Sequence, residues 1–306
     1  MRGAFCGTLV ELAERDPRIL LLTGDLGYMA LDPFAAKFSS RFFNIGVAEQ
    51  NMVGLATGLA EAGLIPFIYS IVTFATLRPY EFIRNGPVHH RLPVRIVGVG
   101  GGLEYSHQGV SHQGLEDVGV MRLQPSLTVI APADHRQTRA ALKATWDLPG
   151  PIYYRLGKDD QTTVPGLDGR FSLGRAEVIR EGGDLLILTM GGIAAEAAAA
   201  ADLLADKGVA CTVAVVAVMN PAPLDDLAAL LSRFSVALSV EAHYAVGGLG
   251  SLVSEVIAEK RLPCRLVRCG VTAMPRGFSG DLGYLYRSHG LSREQLAATA
   301  LREVGK

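Results

Sequence analysis

A glutamate at the start of a predicted helix is the first residue in this sequence that could carry chemistry. Glu49 lies in the segment 44–52, where a short strand is predicted to end near Gly46 and a helix to begin. An acidic side chain in the first turn of a helix can simply complement the helix dipole. Apolar neighbours such as Val47 and Val53 could instead bury the carboxyl, which would let it hold or share a proton with a basic heterocycle. Both interpretations stay open on the residues alone.

A second candidate is the segment 98–114, which is rich in glycine, histidine and glutamine and follows a predicted strand at 93–99. In an open α/β sheet, ligands bind beyond the carboxyl ends of the strands, so Gln108 and His112 could line a polar pocket there. The alternative is a flexible glycine-rich loop with solvated histidines. No G-x-G-x-x-G pattern opens a helix in this segment, so a dinucleotide-binding fingerprint is not supported.

Two further residues have both a structural and a functional interpretation. Phe74 lies on a predicted helix, where a lone phenylalanine usually belongs to the core but can also stack on a flat ligand ring. Arg155 ends a predicted strand at 151–155, and an arginine in that position can form an ion pair or clamp an anion. Residue types do not choose between these interpretations.

The elements that must position these residues alternate between strand and helix. Apolar runs predict strands at 18–24, 42–47, 65–69, 93–99, 126–131 and 151–155, with helices at 49–62, 74–85 and 134–146. Further along the chain, the same patterns predict strands at 184–189, 211–218, 235–241 and 264–269, with helices at 193–206, 224–233, 251–260 and 291–303. Continuous apolar strands separated by helices are typical of parallel sheets covered on both faces.

We therefore predict an α/β chain of two tandem doubly wound domains, of which the second is smaller and mainly parallel. The predicted domains span residues 1–165 and 184–306. Residues 166–183, which interrupt the alternation with glycines and charges, are predicted to form a linker.

Composition and charge exclude several classes of protein. Of the 306 residues, 49% are hydrophobic and 19% charged, which argues against disorder. The net charge is -1, so the chain lacks the excess of positive charge that binds nucleic acid, and no nucleic-acid partner is expected. The 4 cysteines form no C-x-x-C pair, which favours a reduced cytoplasmic chain without structural zinc. The sequence shows no signal-peptide pattern and no apolar run near the ~20 residues of a membrane span, so no membrane partner is expected.

Taken together, the motifs resemble those of the transketolase family of thiamine diphosphate enzymes. The segment 44–54 is similar to the family's G-[VI]-x-E-[QH] segment, and residues 109–113, Gly-Val-Ser-His-Gln, resemble its G-x-[ST]-H-Q loop. Residues 240–251 look like part of its C-terminal domain, and the resemblance runs in order over nearly the whole chain. No GDG motif of the diphosphate-binding domain is present. The chain thus resembles the C-terminal subunit of a split transketolase, with a pyrimidine-binding domain over 1–165 followed by a transketolase C-terminal domain.

The resemblance implies roles around the cofactor. Glu49, as a catalytic residue, would hydrogen-bond N1′ of the thiamine aminopyrimidine and favour the imino form that removes the thiazolium C2 proton. Phe74 would stack on the pyrimidine ring, and Asp25 and Ile71 would be further cofactor-binding residues. Magnesium and the diphosphate would be held mainly by a separate N-terminal subunit, so no metal ligand is expected on this chain.

The resemblance also implies roles around the substrate. His112 would be a catalytic residue that faces the substrate, and Arg155 would clamp the acceptor's phosphate with Arg2 nearby. Gln108 stands where transketolases usually have an aspartate that recognises a substrate hydroxyl, and Gly100 stands where they have a phosphate-contacting histidine. These departures favour an unusual donor or acceptor sugar, such as one that carries less phosphate.

The expected activity is the transfer of a two-carbon ketol unit from a ketose donor to an aldose acceptor. The chain would act only with its diphosphate-binding partner and would also self-associate to a dimer, which gives an expected α2β2 assembly. The first domain would expose an apolar patch that is covered by the partner subunit or by a second copy of this chain. One alternative is a subunit like those of 1-deoxyxylulose-5-phosphate synthase or the 2-oxo acid dehydrogenase beta chains. A non-catalytic scaffold of the same fold is another. Glu241 and His243 are expected to form part of an interface or a pocket rim.

Overall fold

The computed structural model describes residues 1–274 and 280–305, which form two mainly parallel sheets flanked by helices. The strands are Ile19–Thr23 (β1), Phe42–Asn44 (β2), Ile65–Ile71 (β3), Arg95–Val99 (β4), Thr128–Ile130 (β5), Ile152–Leu156 (β6), Glu177–Arg180 (β7), Leu185–Met190 (β8), Cys211–Val215 (β9), Val218–Asn220 (β10), Val236–Tyr244 (β11) and Arg265–Val271 (β12). The α-helices are Arg2–Arg15 (α1), Asp32–Lys37 (α2), Glu49–Glu61 (α3), Val72–Thr76 (α4), Tyr80–Ile83 (α5), Asp117–Arg122 (α6), His135–Thr145 (α7), Ala194–Ala205 (α8), Leu224–Leu231 (α9), Leu249–Lys260 (α10), Leu282–Ser288 (α11) and Arg293–Val304 (α12).

The first sheet has the strand order β10-β5-β6-β4-β3-β1-β2. Its first six strands in the chain are parallel, and β10 is added antiparallel at the β5 edge. Strands β1, β4 and β6 are buried along their whole length, as expected for a parallel sheet covered on both faces. Because the strands run the same way, the segments that follow β1, β3, β4 and β6 meet at one edge of the sheet.

The second sheet has the strand order β12-β11-β8-β9-β7, with β7 as its antiparallel edge. The other strands are parallel, and the chain leaves β8 in one direction to β9 and later returns on its other side as β11. The prediction of an α/β fold with two mainly parallel, doubly wound sheets is confirmed. One apolar cluster is shared by the two sheets, because Val129 and Tyr153 of the first belong to the same cluster as Leu188 and Ala214 of the second.

Three predicted elements differ in the structure. The predicted linker 166–183 contains β7, which pairs with β9. The predicted strand 211–218 is divided into β9 and β10, which belong to different sheets. The predicted helix 74–85 is divided between α4, α5 and a following π-helix over Arg84–Val88, with Pro79 between α4 and α5. Proline lacks the N–H that a continuing helix would use.

Among the described residues, no helix is both long enough and apolar enough to span a bilayer.

Candidate functional site

Glu49 is a buried carboxylate at the carboxyl edge of the first sheet. It is the first residue of α3, and its side chain is 1% exposed. Its Oε1 accepts a hydrogen bond of 3.0 Å from the Ser70 hydroxyl on β3, and its Oε2 accepts one of 3.0 Å from Arg78. Gly24, just after β1, lies against it, since a Cβ there would be 3.4 Å from Oε1. Three neighbouring segments of the first domain thus enclose the carboxyl group.

An aromatic ring and a histidine lie next to this carboxylate. The Phe74 ring on α4 is covered on one face by the Arg78 guanidinium, whose central carbon is 3.7 Å from the ring centroid. The same ring contacts His112 edge-on, with 5.1 Å between centroids. The Thr73 hydroxyl donates to the carbonyl of Ser111 at 3.2 Å, which fixes α4 to the loop that carries His112. Glu49 and Phe74 are therefore linked through Arg78, and Phe74 contacts His112 directly. We call this group of side chains the candidate cleft.

A basic region continues from His112. The Tyr105 ring lies 6.0 Å from the His112 ring, and the Lys158 ammonium lies 4.3 Å from the Tyr105 centroid. Burial, together with the charge of Arg2, lowers the pKa of Lys158. The Nε of Arg2 is buried and makes no hydrogen bond within the described part of the chain. Arg2 and Lys158 are therefore close enough for their charges to interact, and Lys158 is not among the candidates that the sequence motifs identify.

Arg155, the predicted phosphate clamp, is buried and paired with groups of this chain. Its side chain is 4% exposed and bonds Asp117 Oδ2 through Nε at 2.8 Å. Its Nη2 donates to the carbonyls of Gly114 at 3.1 Å and Ala242 at 2.9 Å. Arg155 lies within β6 on the same face as Tyr153, whose hydroxyl also bonds Asp117, so the strand directs it into the domain interface rather than beyond the sheet edge. These contacts give Arg155 a structural role at the domain interface, and its position does not favour the phosphate-clamp role that the resemblance implies.

The glycine run before Tyr105 serves the same interface. A Cβ at Gly101 would lie 2.8 Å from the Arg155 guanidinium carbon. At Gly102, where φ is +70°, a Cβ would lie 2.4 Å from the Ala242 carbonyl oxygen. Backbone hydrogen bonds join Gly102 to Gly114 at the end of the His112 loop. The absence of side chains at Gly101 and Gly102 thus makes room for Arg155 and for the close approach of Ala242 from the second domain.

The remaining predicted residues are less enclosed. Asp25 is exposed and adopts φ +58°, and its Oδ1 accepts a bond of 2.8 Å from the Asn44 amide on the neighbouring strand end. Ile71 is half-buried and immediately precedes α4. Gln108 is exposed in the loop before His112. Within residues 1–274 and 280–305, no group of three or more His, Cys, Asp and Glu side chains is arranged to hold a metal ion.

Glu241 and His243 are buried where β11 meets the first domain. Glu241 accepts hydrogen bonds from the backbone N–H groups of Leu249 (2.7 Å) and Gly250 (2.8 Å), and burial raises its pKa to about 7. His243 Nε2 accepts a bond of 3.3 Å from the N–H of Gly119, and burial lowers its pKa. Glu241 thus caps α10, and His243 joins the domains.

The chain matches two family models over most of its length. Residues 1–162 match the model of the transketolase pyrimidine binding domain, and residues 174–296 match the model of the transketolase C-terminal domain.

Individual relatives agree with these matches. A subunit of the apulose-4-phosphate transketolase of Phocaeicola vulgatus is 32% identical over 100% of this chain and 97% of its own length. The 6-deoxy-6-sulfo-D-fructose transketolase subunit SqwH of Clostridium sp. is 35% identical over 98% of this chain and 93% of its own length. A solved structure described as a split gene transketolase, inactive beta4 tetramer, is 36% identical, with a TM-score of 0.90 over 99% of this chain and 98% of that one. The chain therefore belongs to the transketolase family and corresponds to the subunit that carries its pyrimidine-binding and C-terminal domains.

Proposed function

We propose that this chain combines with a separate diphosphate-binding subunit to form a thiamine diphosphate-dependent transketolase. The complex would transfer a two-carbon ketol unit from a ketose to an aldose. Similar subunits are named for transketolases of two sugars, apulose 4-phosphate and 6-deoxy-6-sulfo-D-fructose, which supports the activity. The observation that carries the proposal is the chain of contacts that places Glu49, Phe74 and His112 together at the carboxyl edge of the first sheet.

The cleft fits the aminopyrimidine end of thiamine diphosphate, on which transketolases generally depend. Phe74 offers a flat aromatic face, and Glu49 offers a buried carboxyl that the same Arg78 side chain reaches. When bound, the cofactor supplies the carbon nucleophile that takes up the ketol unit. We propose Asp25 and Ile71 as further contacts at the neighbouring strand ends. Magnesium and the diphosphate would be held mainly by the partner subunit.

Two side chains of this chain would handle protons. Glu49 would hold a proton at the pyrimidine ring nitrogen and so fix the tautomer of the ring. The Nδ1 of His112 is 2.9 Å from the Ser111 hydroxyl, so Nε2 is the ring nitrogen left to exchange a proton with a substrate hydroxyl. Gln108 would contact a hydroxyl of the sugar.

The basic region would bind the far end of the substrate. Arg2 and Lys158 lie beyond His112, and paired cations suit a phosphate or a sulfonate. One relative is named for a phosphorylated sugar and another for a sulfonated sugar, so both names describe an anionic substrate. We therefore propose that the substrate is an anionic sugar. Lys158, rather than Arg155, would bind its anionic group.

The chain would function as an assembly in the cytoplasm. Large apolar side chains in the segments around Asp25 and Glu49 are exposed, including Met29 at 86% and Val47 at 72%. Large apolar side chains left in water favour coverage by another chain. We propose an α2β2 heterotetramer in which the partner subunit and a second copy cover these side chains.

The proposed function is tested by co-purifying the chain with a subunit that carries a GDG motif and assaying ketol transfer with thiamine diphosphate and magnesium. Glu49→Gln keeps the size of the side chain but cannot supply the proton, so turnover should fall by at least about 100-fold. Glu61→Gln, an exposed change at the other end of α3, should leave turnover unchanged. Unchanged turnover in Glu49→Gln would contradict the proposal. Carbon dioxide release from pyruvate would favour the deoxyxylulose-synthase-like alternative, and a wild-type complex without turnover would favour the scaffold.

A further inference from the structure

We propose that Arg78 is a placeholder for the cofactor's aminopyrimidine ring: its side chain contacts Glu49 and Phe74 and must leave both residues before the ring can bind. The inference rests on the proposed function of the cleft, because it concerns the same two residues. It adds a residue that neither the motifs nor the comparisons assign.

The first observation is the stacking of Arg78 on Phe74. The guanidinium carbon lies 3.7 Å from the Phe74 centroid, which is the separation of two flat groups in contact. A guanidinium is planar and delocalised, so it covers an aromatic face much as a small heterocycle does. The face that Phe74 would offer to the pyrimidine is therefore already covered by this side chain.

The second observation is the pairing of Arg78 with Glu49. Arg78 Nη1 donates to Oε2 at 3.0 Å, while the Ser70 hydroxyl donates to Oε1, so both carboxylate oxygens act as acceptors. A ring nitrogen that accepts a hydrogen bond needs the opposite arrangement, with the proton on the carboxyl oxygen. Glu49 cannot serve Arg78 and such a nitrogen through the same oxygen at once.

The third observation is the difference in exposure between the two partners. The Arg78 side chain is 39% exposed, whereas that of Glu49 is 1% exposed. Arg78 lies in the break between α4 and α5, so its long side chain can swing toward solvent without moving either helix. While it stays in the cleft, it spares Glu49 the cost of a buried, unpaired charge. The contact thus keeps the two ring-binding residues in place and can still be released.

A placeholder reduces the apparent affinity of the ligand that replaces it, because only the open fraction of the protein binds. Arg78→Ala removes the competing group, so the complex should bind thiamine diphosphate more tightly, by roughly three- to tenfold for a partly exposed pair. Arg78→Lys keeps the charge but loses the flat stacking group, so its affinity should lie between those of the wild type and Arg78→Ala.

The experiment is a titration of the reconstituted complex with thiamine diphosphate at fixed magnesium, followed by near-ultraviolet circular dichroism. Arg84→Ala, an exposed arginine that bonds its neighbour Asn85, is the matched control and should leave the dissociation constant unchanged. Thermal unfolding of each complex shows that the variants are folded.

Two results would overturn the placeholder. Weaker binding in Arg78→Ala would make Arg78 a cofactor ligand, and unchanged binding would mean that the contact does not compete with the ring. In both cases wild-type binding is normal, so the proposed function survives. A folded wild-type complex that fails to bind thiamine diphosphate would instead overturn the proposed function, and the placeholder with it.

Discussion

At the scale of single residues, two cations close together in the sequence have different surroundings. Arg155 lies inside β6 and donates hydrogen bonds to Asp117 and to two carbonyl groups. Lys158 follows the strand and lies over the ring of Tyr105. An arginine at the end of a predicted strand can point into an interface or out of the sheet edge, and its residue type does not say which. Lys158 lies beyond the strand rather than in it, and this position in the sequence is what favours Lys158 over Arg155 in the proposed anion site.

The proposed anion site gives a prediction for Lys158. Lys158→Met removes one cation beside Arg2, so KM for a phosphorylated or sulfonated sugar should rise about tenfold, the loss expected for one charge-assisted hydrogen bond. Steady-state kinetics with an anionic ketose and its uncharged analogue measure this difference. Lys207→Met, an exposed lysine in the second domain, is the control. An equal rise in KM for the uncharged sugar would argue against an anion site.

At the scale of elements, the loop that carries His112 is attached to the end of β11. Leu115 accepts a backbone hydrogen bond from Tyr244, Gly119 donates to His243, and Arg155 bonds both Gly114 and Ala242. The second domain thus acts as the support of a loop that belongs to the first. A loop held on a rigid support keeps a catalytic side chain in place better than a free one.

Loss of this attachment is tested by Arg155→Met. The change leaves Asp117 buried without its cationic partner, so the free energy of unfolding should fall by about 3–5 kcal/mol. Hydrogen exchange should rise in residues 109–119, as measured by mass spectrometry. Arg95→Met is the matched control, because Arg95 is equally buried but bonds the carbonyls of Trp146 and Gly150 at the other end of the sheet. Faster exchange at 109–119 in both variants would show a general loss of stability instead.

Element prediction from the sequence succeeded where apolar runs were long and uninterrupted. Strands β1, β4, β6, β8 and β11 are buried nearly throughout, so continuous hydrophobicity identified them. The short edge strand β7 is only half-buried, and its two apolar residues, Val178 and Ile179, are too few to form a recognisable apolar run among the neighbouring charges and glycines. Strand β10 was merged with β9 because the apolar run continues while the chain crosses from one sheet to the other.

The candidate site was predictable to a similar degree. Glu49, Phe74 and His112 were identified because they lie in motifs, and the structure brings them together. Arg78 was not identified, because its role depends on stacking and pairing across a helix break rather than on a motif. Glu241 and His243 were left with an interface role, and both are buried where the domains meet.

At the scale of the whole molecule, the stability of the chain should depend on Glu241. Folding raises its pKa from 4.5 to about 7, so between these values the folded chain holds a proton that the unfolded chain has lost. The contribution of Glu241 to stability is therefore full below pH 4.5 and is lost as the pH rises through 7. His243 has the opposite effect on the pH dependence of stability. Burial lowers its pKa, so below about pH 6.5 the unfolded chain binds a proton more readily than the folded chain, and the folded chain loses stability as the pH falls.

Glu241→Gln isolates the first of these effects. The difference in unfolding free energy between wild type and variant should change by about 3 kcal/mol between about pH 4.5 and about pH 8. Urea unfolding at each pH measures it. Glu259→Gln, an exposed change on the same helix α10, should show the same pH dependence as the wild type. A pH-independent difference for Glu241→Gln would mean that its carboxyl does not take up a proton on folding.

Strand β10 has a consequence for any attempt to divide this chain. It comes from the second half of the sequence, yet it pairs with β5 and so closes one side of the first sheet. A fragment that ends before residue 218 would leave the backbone N–H and C=O groups of β5 bare along that side. Strands whose backbone groups are unpaired along one side tend to pair with strands of other molecules. Truncated versions of the first half should therefore precipitate or form fibrous aggregates, even where their own core is intact.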